Sequence, residues 1–359
     1  MMISEMWLFG SGFSKSIAKL PTLGELRLCV NQYLNSMDIN KWAHLRLSKD
    51  FLKMADIEFP WANYEELLTI AWNPGLFTAQ SYHKAIAEEG FDTLPNDDRY
   101  LLYRERENKF EWVKPKKVQE SLAIALAGCF IDLESKAILD MEMVKEIISI
   151  FSNGGFITTI NNDTILERIF DLNNIPFCYD FSSSRRGWHD ICKQDTPSIK
   201  LYKLHGSVNW FFSRGRPVPY SYSPQEILPL LKRGNKPAIV PPSPGKILYL
   251  SRFEESWKTF FVQGSMYNVL YIVGCGFPDT DPELSVLFRS IIYWIAQQKK
   301  KLKIIDINYY TGDNIADYIN TRKQIIGRTL GINRASLLSD NDLTIDVYPN
   351  GFKRWLEKH

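Results

Sequence analysis

The chain has 359 residues, 45% apolar and 23% charged, an ordinary globular balance with length for one large domain or two to three smaller ones. Its 43 basic and 41 acidic residues leave a formal charge of +2, which argues against direct nucleic-acid binding driven by bulk charge. No apolar run approaches bilayer-spanning length, Met1 to Ser14 lacks a signal peptide's basic start and long apolar core, and the five scattered cysteines contain no CxxC pair. The expectation is a cytoplasmic protein with no disulfide framework, no zinc ribbon and no bound metal.

Met6-Trp-Leu-Phe-Gly-Ser-Gly-Phe-Ser14 reads as a first strand running into a Gly-Ser-Gly turn, and Pro21-Thr-Leu-Gly-Glu-Leu26 then opens a helix. Glycines after a strand let backbone N–H groups approach a phosphate, and a following helix N-terminus favours its charge. A plain strand-to-helix turn explains the same residues equally well. The dehydrogenase fingerprint would need a glycine three residues after Gly12, where Lys15 stands. From about 35 to 150 the spacing is helical (Trp42 to Met54, Tyr64 to Ala71, Ala79 to Glu89, Val118 to Phe130, Met141 to Phe151). The charge-dense run Leu94 to Lys117 inside it reads as a solvated excursion or a partner-facing loop. A crossover between parallel strands needs only one helix, so 35–150 is expected to be a helical insertion into a core made of 1–34 and 151–359.

Phe156 to Ile160 is a short strand that breaks off at Asn161, Asn162 and Asp163, and helical spacing follows through Ile165, Leu166, Ile169 and Phe170. Thr164 and Glu167 have capping-box spacing. A short strand Ile175 to Tyr179 comes next, then a strand from Ile199 with His205-Gly206 at its end and Trp210 beyond. Ala238 to Val240 is stopped by prolines; Met266 to Val273 runs into Gly274-Cys-Gly276, the helix Glu283 to Ala296 follows, and Leu302 to Asn308 ends on an asparagine. A helix from Asn314 to Ile326, a strand Leu343 to Val347 and a helix Phe352 to Glu357 complete the chain. Strands that each lead into a helix predict an α/β fold with a mostly parallel, doubly wound, Rossmann-like sheet. In such sheets ligands gather at the carboxyl ends of strands, where Gly-Ser-Gly, Asn-x-Asp, His-Gly and Gly-x-Gly all fall here.

Taken in order, these motifs resemble the sirtuin superfamily, specifically the zinc-less sirtuin-like effectors of bacterial antiphage systems. Gly10-Ser11-Gly12-Phe13-Ser14 with Pro21-Thr22-Leu23 resembles the family's first NAD-binding motif. Thr159-Ile160-Asn161-Asn162-Asp163 resembles Thr-x-Asn-x-Asp, and Leu204-His205-Gly206-Ser207 resembles Leu-His-Gly-Ser. Gly274-Cys275-Gly276-Phe277 with Asp279 to Pro282 resembles the effector branch's glycine turn near the ribose, and Ile307-Asn308 the segment that holds the adenosine ribose. No four-cysteine zinc module is present.

The resemblance implies a substrate, NAD, that is consumed outright, releasing nicotinamide and ADP-ribose. It places Gly10 to Ser14 and Thr22 on the dinucleotide, Gly274 and Gly276 near a ribose, and Asn308 on the adenosine ribose. Asn161 would orient the ribose or a water through an amide that donates and accepts. His205, of a residue type with an unperturbed pKa of about 6.5, would be the general base. Asp163 would hold the local network, or only cap the helix. The resemblance also implies restraint by homo-oligomerisation or by a separate subunit such as an ATPase, an Argonaute or a nucleotide-processing protein. Two other classes stay open: an NAD-dependent protein deacylase, and a non-catalytic NAD or ADP-ribose sensor.

Overall fold

A computed structural model describes residues 5–38, 41–72, 100–104, 109–113, 115–152, 154–179, 199–213, 216–221, 223–240, 253–277, 282–298, 300–331 and 343–358. In chain order its elements begin with β1 (Glu5–Phe9), α1 (Ser11–Ala18), α2 (Leu26–Ser36), α3 (Arg46–Glu58), α4 (Tyr64–Trp72), β2 (Tyr100–Arg104), β3 (Lys109–Val113) and α5 (Pro115–Lys136). Then come α6 (Met141–Phe151), β4 (Gly155–Thr159), α7 (Ile165–Leu172), β5 (Phe177–Cys178), β6 (Ile199–Lys203), β7 (Gly206–Ser213) and β8 (Arg216–Pro219). The last are α8 (Pro224–Lys232), β9 (Pro237–Ile239), α9 (Glu254–Gly264), β10 (Val269–Val273), α10 (Pro282–Gln297), β11 (Leu302–Ile307), α11 (Ile315–Thr329), β12 (Leu343–Tyr348) and α12 (Gly351–Leu356).

The chain divides into two compact units, one of Met1–Leu20, Lys136–Ser207 and Leu250–His359, the other of Pro21–Ser135 and Val208–Tyr249. These are not the boundaries expected from the sequence. Residues 21–34 and 208–249 group with the insertion, while α6 groups with the core.

The first unit is built on a seven-stranded sheet ordered β12-β11-β10-β1-β4-β6-β5, with every neighbouring pair parallel. From β1 the chain moves outward one way through β4 to β6 and β5. It then returns to β10 on the other side of β1 and moves outward through β11 and β12. The order therefore reverses at β1 and β10, which is where ligands collect in open parallel sheets. Parallel central strands are apolar on both faces because helices cover both. Met6 and Leu8 face a core with Phe156, Phe260, Leu270, Ile272 and Phe288. Trp7 and Phe9 face the other way: Trp7 stacks on Tyr271 at 3.9 Å and meets Phe151, while Phe9 meets Phe13 at 4.4 Å. Each side chain so enclosed contributes roughly 1.5–3 kcal/mol.

The second unit holds α2 to α5, the antiparallel pair β2–β3, and a three-stranded sheet ordered β8-β7-β9. Tyr64 donates to the Leu122 carbonyl at 3.0 Å, and the Ser121 hydroxyl donates to the His44 carbonyl at 2.6 Å, tying α4 and the approach to α3 onto α5. Part of the charge-dense run read as an excursion is the β2–β3 hairpin. The helix expected over Ala79 to Glu89 lies outside the described residues.

Two local readings are corrected. A helix starts at Ser11, immediately after the first strand, because Phe13 and Ile17, one helical turn apart, are both buried despite the poor helix propensity of the serines and glycine around them. The strand expected to end on His205-Gly206 stops two residues earlier, at Lys203; Gly206 takes φ +75° and opens β7, which joins a different sheet.

Candidate active site

The turns after β1 and β10 interlock. Gly10 N–H donates to the Val273 carbonyl and Gly12 N–H to the Gly274 carbonyl, each at 2.9 Å. A Cβ on Gly10 would stand 2.6 Å from Cys275 Cα, and one on Gly12 2.9 Å from Gly274 Cα. Gly274 has φ +61°, and a Cβ there would stand 2.3 Å from the Phe13 nitrogen. These glycines let backbone pass against backbone, which no larger residue permits. The amides of Gly10, Gly12 and Phe13 are thereby committed inside the chain, Phe13 N–H donating to the Gly10 carbonyl at 3.0 Å. They are not the phosphate donors expected from the motif. Ser11, at the start of α1, and Gly276, with open space around its Cα, are the exposed residues of the two turns, and Gly12 and Gly274 are half-buried.

The turn after β4 is held as tightly. The Thr159 hydroxyl donates to the Phe9 carbonyl and accepts from Asn161 N–H, both at 3.0 Å. Asn161 Nδ2 donates to the Gly10 carbonyl and to Ser14 Oγ, both at 2.9 Å. A backbone carbonyl can only accept, so this contact fixes which end of the carboxamide is nitrogen. The Ser14 hydroxyl donates to Asp163 Oδ2 at 2.7 Å, and Asp163 Oδ1 accepts from Ile165 N–H at 3.1 Å. Asp163 is buried, and burial raises its pKa; the Lys203 ammonium and the Ser14 and Ile165 hydrogen bonds pull the other way.

The capping box expected at Thr164 and Glu167 does not form. Thr164 makes no side-chain cap, and Asp163 takes that part. Glu167 is fully buried and pairs instead with Lys203 Nζ at 2.7 Å and with the Tyr179 hydroxyl at 2.8 Å. Lys203 also donates to the Asp163 carbonyl, so one buried ammonium grips the far side of the Asn161–Asp163 turn.

β4 and β6 run parallel with Thr159 opposite Lys203, and Leu204 N–H extends the pairing to the Thr159 carbonyl at 3.0 Å. Asn161 and His205 thus follow the same level of adjacent strands, and Ser207 Oγ donates to the Asn162 carbonyl at 3.4 Å. His205 is 7% exposed, sheltered in the turn between β6 and β7. Trp257 fixes that turn by donating to the Leu204 carbonyl at 2.9 Å.

On the other side of the reversal point, Asn308 follows β11. Its Nδ2 donates to Asp306 Oδ1 at 2.8 Å, and Asp306 is buried and paired with Arg322. Thr22 belongs to the second unit, where its N–H and hydroxyl both donate to Glu25 Oε2, at 2.8 and 2.9 Å. The other candidates all belong to the first unit, Ser11 to Ser14 in the first turn of α1 and the rest just after β1, β4, β6, β10 and β11. Sequence reasoning missed Lys203, Glu167, Asp306 and Arg322. A usable signal existed for two of them: Lys203 and Asp306 each sit three residues after another charge (Lys200, Lys303) in a short apolar strand run, and two charges an odd number of positions apart fall on opposite faces, so in a sheet covered on both faces at least one needs a buried partner.

Among the described residues no group of three or more His, Cys, Asp or Glu is placed to hold a metal ion, and no helix is long and apolar enough to cross a membrane. A scan against known protein families and a search of curated proteins each find no match to this chain.

Proposed function

We propose that the first unit is a Rossmann-like, sirtuin-like NAD-binding core without a zinc ribbon, and that it hydrolyses NAD to nicotinamide and ADP-ribose. One observation carries the reading. Two carboxamides, Asn161 and Asn308, each spend their nitrogen on the protein, leaving oxygens without a protein partner among the described residues. They flank the reversal point of a parallel sheet, three strand spacings apart, roughly 14 Å. Two acceptors at that separation suit a ligand with hydroxyl donors at both ends, as two riboses joined by a pyrophosphate provide.

The chemistry asked of the site is modest because the leaving group is already a cationic pyridinium. Asn161, locked as an acceptor, would orient a ribose hydroxyl or the attacking water. This narrows the part first expected of it, since its donors are already committed. His205 would take the proton at the end of the neighbouring strand. Stabilising an oxocarbenium-like sugar is then a matter of fixed dipoles and position. A cytoplasmic effector that depletes NAD on activation, restrained by self-assembly or a separate activating subunit, is the biological role this activity fits.

The purified wild-type protein should release nicotinamide from NAD, alone or with an activating partner. Asn161→Ala and His205→Ala should bind NAD while releasing at least a hundredfold less. Wild-type rates in both variants would end the catalytic assignment; release that requires an acetylated peptide would make the protein a deacylase. Tight binding with no turnover in any form would make it a sensor.

A further inference from the structure

Arg322, on α11, is buried at 6% exposure and makes three bonds with one guanidinium. Nε and Nη2 donate to Asp306 Oδ2 and Oδ1 at 2.9 and 2.7 Å, and Nη2 also donates to the Cys275 carbonyl at 3.0 Å. Cys275 is the centre of the glycine turn after β10, and Asp306 is the carboxylate that orients the Asn308 amide. The turn needs outside restraint. Phe277, buried at 6% exposure, has φ +49°, a conformation that costs a side chain with a Cβ unless its surroundings impose it. Part of that restraint is the interlock with Gly10 and Gly12, and part is the Gly274 N–H bond to the Ile307 carbonyl at 2.9 Å. The Arg322 fork is a further one, and it joins the turn directly to the side chain below Asn308. A planar guanidinium suits the task, since it can meet a carboxylate with two donors and a carbonyl with one of them at once.

We propose that Arg322 is a positioning residue for the half of the site that takes the second ribose: it fixes the Gly274–Phe277 turn and, through Asp306, aims the Asn308 oxygen. The inference rests on the dinucleotide reading above. It places Arg322 in control of NAD affinity, as distinct from the bond-breaking step assigned to Asn161 and His205.

Arg322→Lys keeps the charge and loses the fork. The paired variant Asp306→Asn/Arg322→Met removes both charges together, so a folding defect in one need not occur in the other. In whichever variant melts as a folded protein, the KM for NAD should rise about tenfold with kcat within twofold of wild type. Hydrogen exchange at the Gly12 and Gly274 amides should also speed up about tenfold, with β4 amides unchanged. Unchanged KM in a folded variant overturns the proposal even if exchange quickens, because Arg322 would then be structural only. A fall in kcat at constant KM overturns it as well. Should wild type release no nicotinamide, the functional reading fails on its own account. The control of NAD affinity by Arg322 would fall with it, and exchange at Gly12 and Gly274 would decide only whether Arg322 fixes the turn, wild-type exchange in a folded variant dismissing that as well.

Discussion

Lys203 and Glu167 show how far one buried ion pair governs the polar turn above it. Both side chains have essentially no exposure, and the ammonium bridges the Glu167 carboxylate and the Asp163 carbonyl. Removing two charges from water is costly, and their attraction offsets that cost only while both remain. Lys203→Met strands a carboxylate whose second oxygen, Oε2, already lacks a partner among the described residues, and it should cost about 3–5 kcal/mol in denaturant unfolding. Lys203→Met/Glu167→Leu removes both charges and should recover most of that loss. Its nicotinamide release should nevertheless stay depressed, because nothing then grips the Asp163 carbonyl. Stability losses that simply add in the double variant would show that the two groups do not act as a pair.

At the level of whole elements, the two glycine turns divide by what surrounds each Cα. Gly274 has a left-handed backbone and no room, so Gly274→Ala should destabilise by about 2 kcal/mol or more, from φ strain of about 1–2 kcal/mol plus the clash with Phe13. Gly276 has open space, so Gly276→Ala should melt like wild type yet weaken NAD binding if the ligand passes over the turn. Equal melting temperatures for the two variants would contradict the interlock. Such distinctions were only partly legible in the sequence. Apolar runs and the polar breaks after them marked β1, β4, β10 and β11, since burial on both faces demands continuous apolar residues there. The turns could be located but not interpreted: a glycine needed for an approaching backbone reads the same as one needed for an approaching phosphate. Helix α1 escaped notice because Ser11, Gly12, Ser14 and Ser16 suppress local propensity while burial of Phe13 and Ile17 supplies the stability. Glu167 looked like a cap because spacing alone cannot see Lys203, 36 residues away in the sequence.

The molecule as a whole divides into two compact units. Thr22 is the one binding candidate in the second unit, where its polar groups are already spent on Glu25; every other candidate sits on the first unit's sheet. A ligand that binds the native state alone stabilises what it touches by mass action, about 2.7 kcal/mol at a hundredfold excess over its Kd. On the proposed function, saturating the His205→Ala protein with NAD should therefore slow hydrogen exchange along β1, β4, β10 and β11 and in the turns that follow them. Exchange in α5 and in β7 to β9 should stay near its unliganded rate, because subglobal units open independently where the ligand bridges none of their contacts. Protection centred instead on α2 to α5 would move the binding site to the second unit and remove Asn161, His205 and Asn308 from contact with NAD. Protection shared equally by both units would mean that the ligand or the fold couples them, and Thr22 would then return as a contact to be tested by Thr22→Ala.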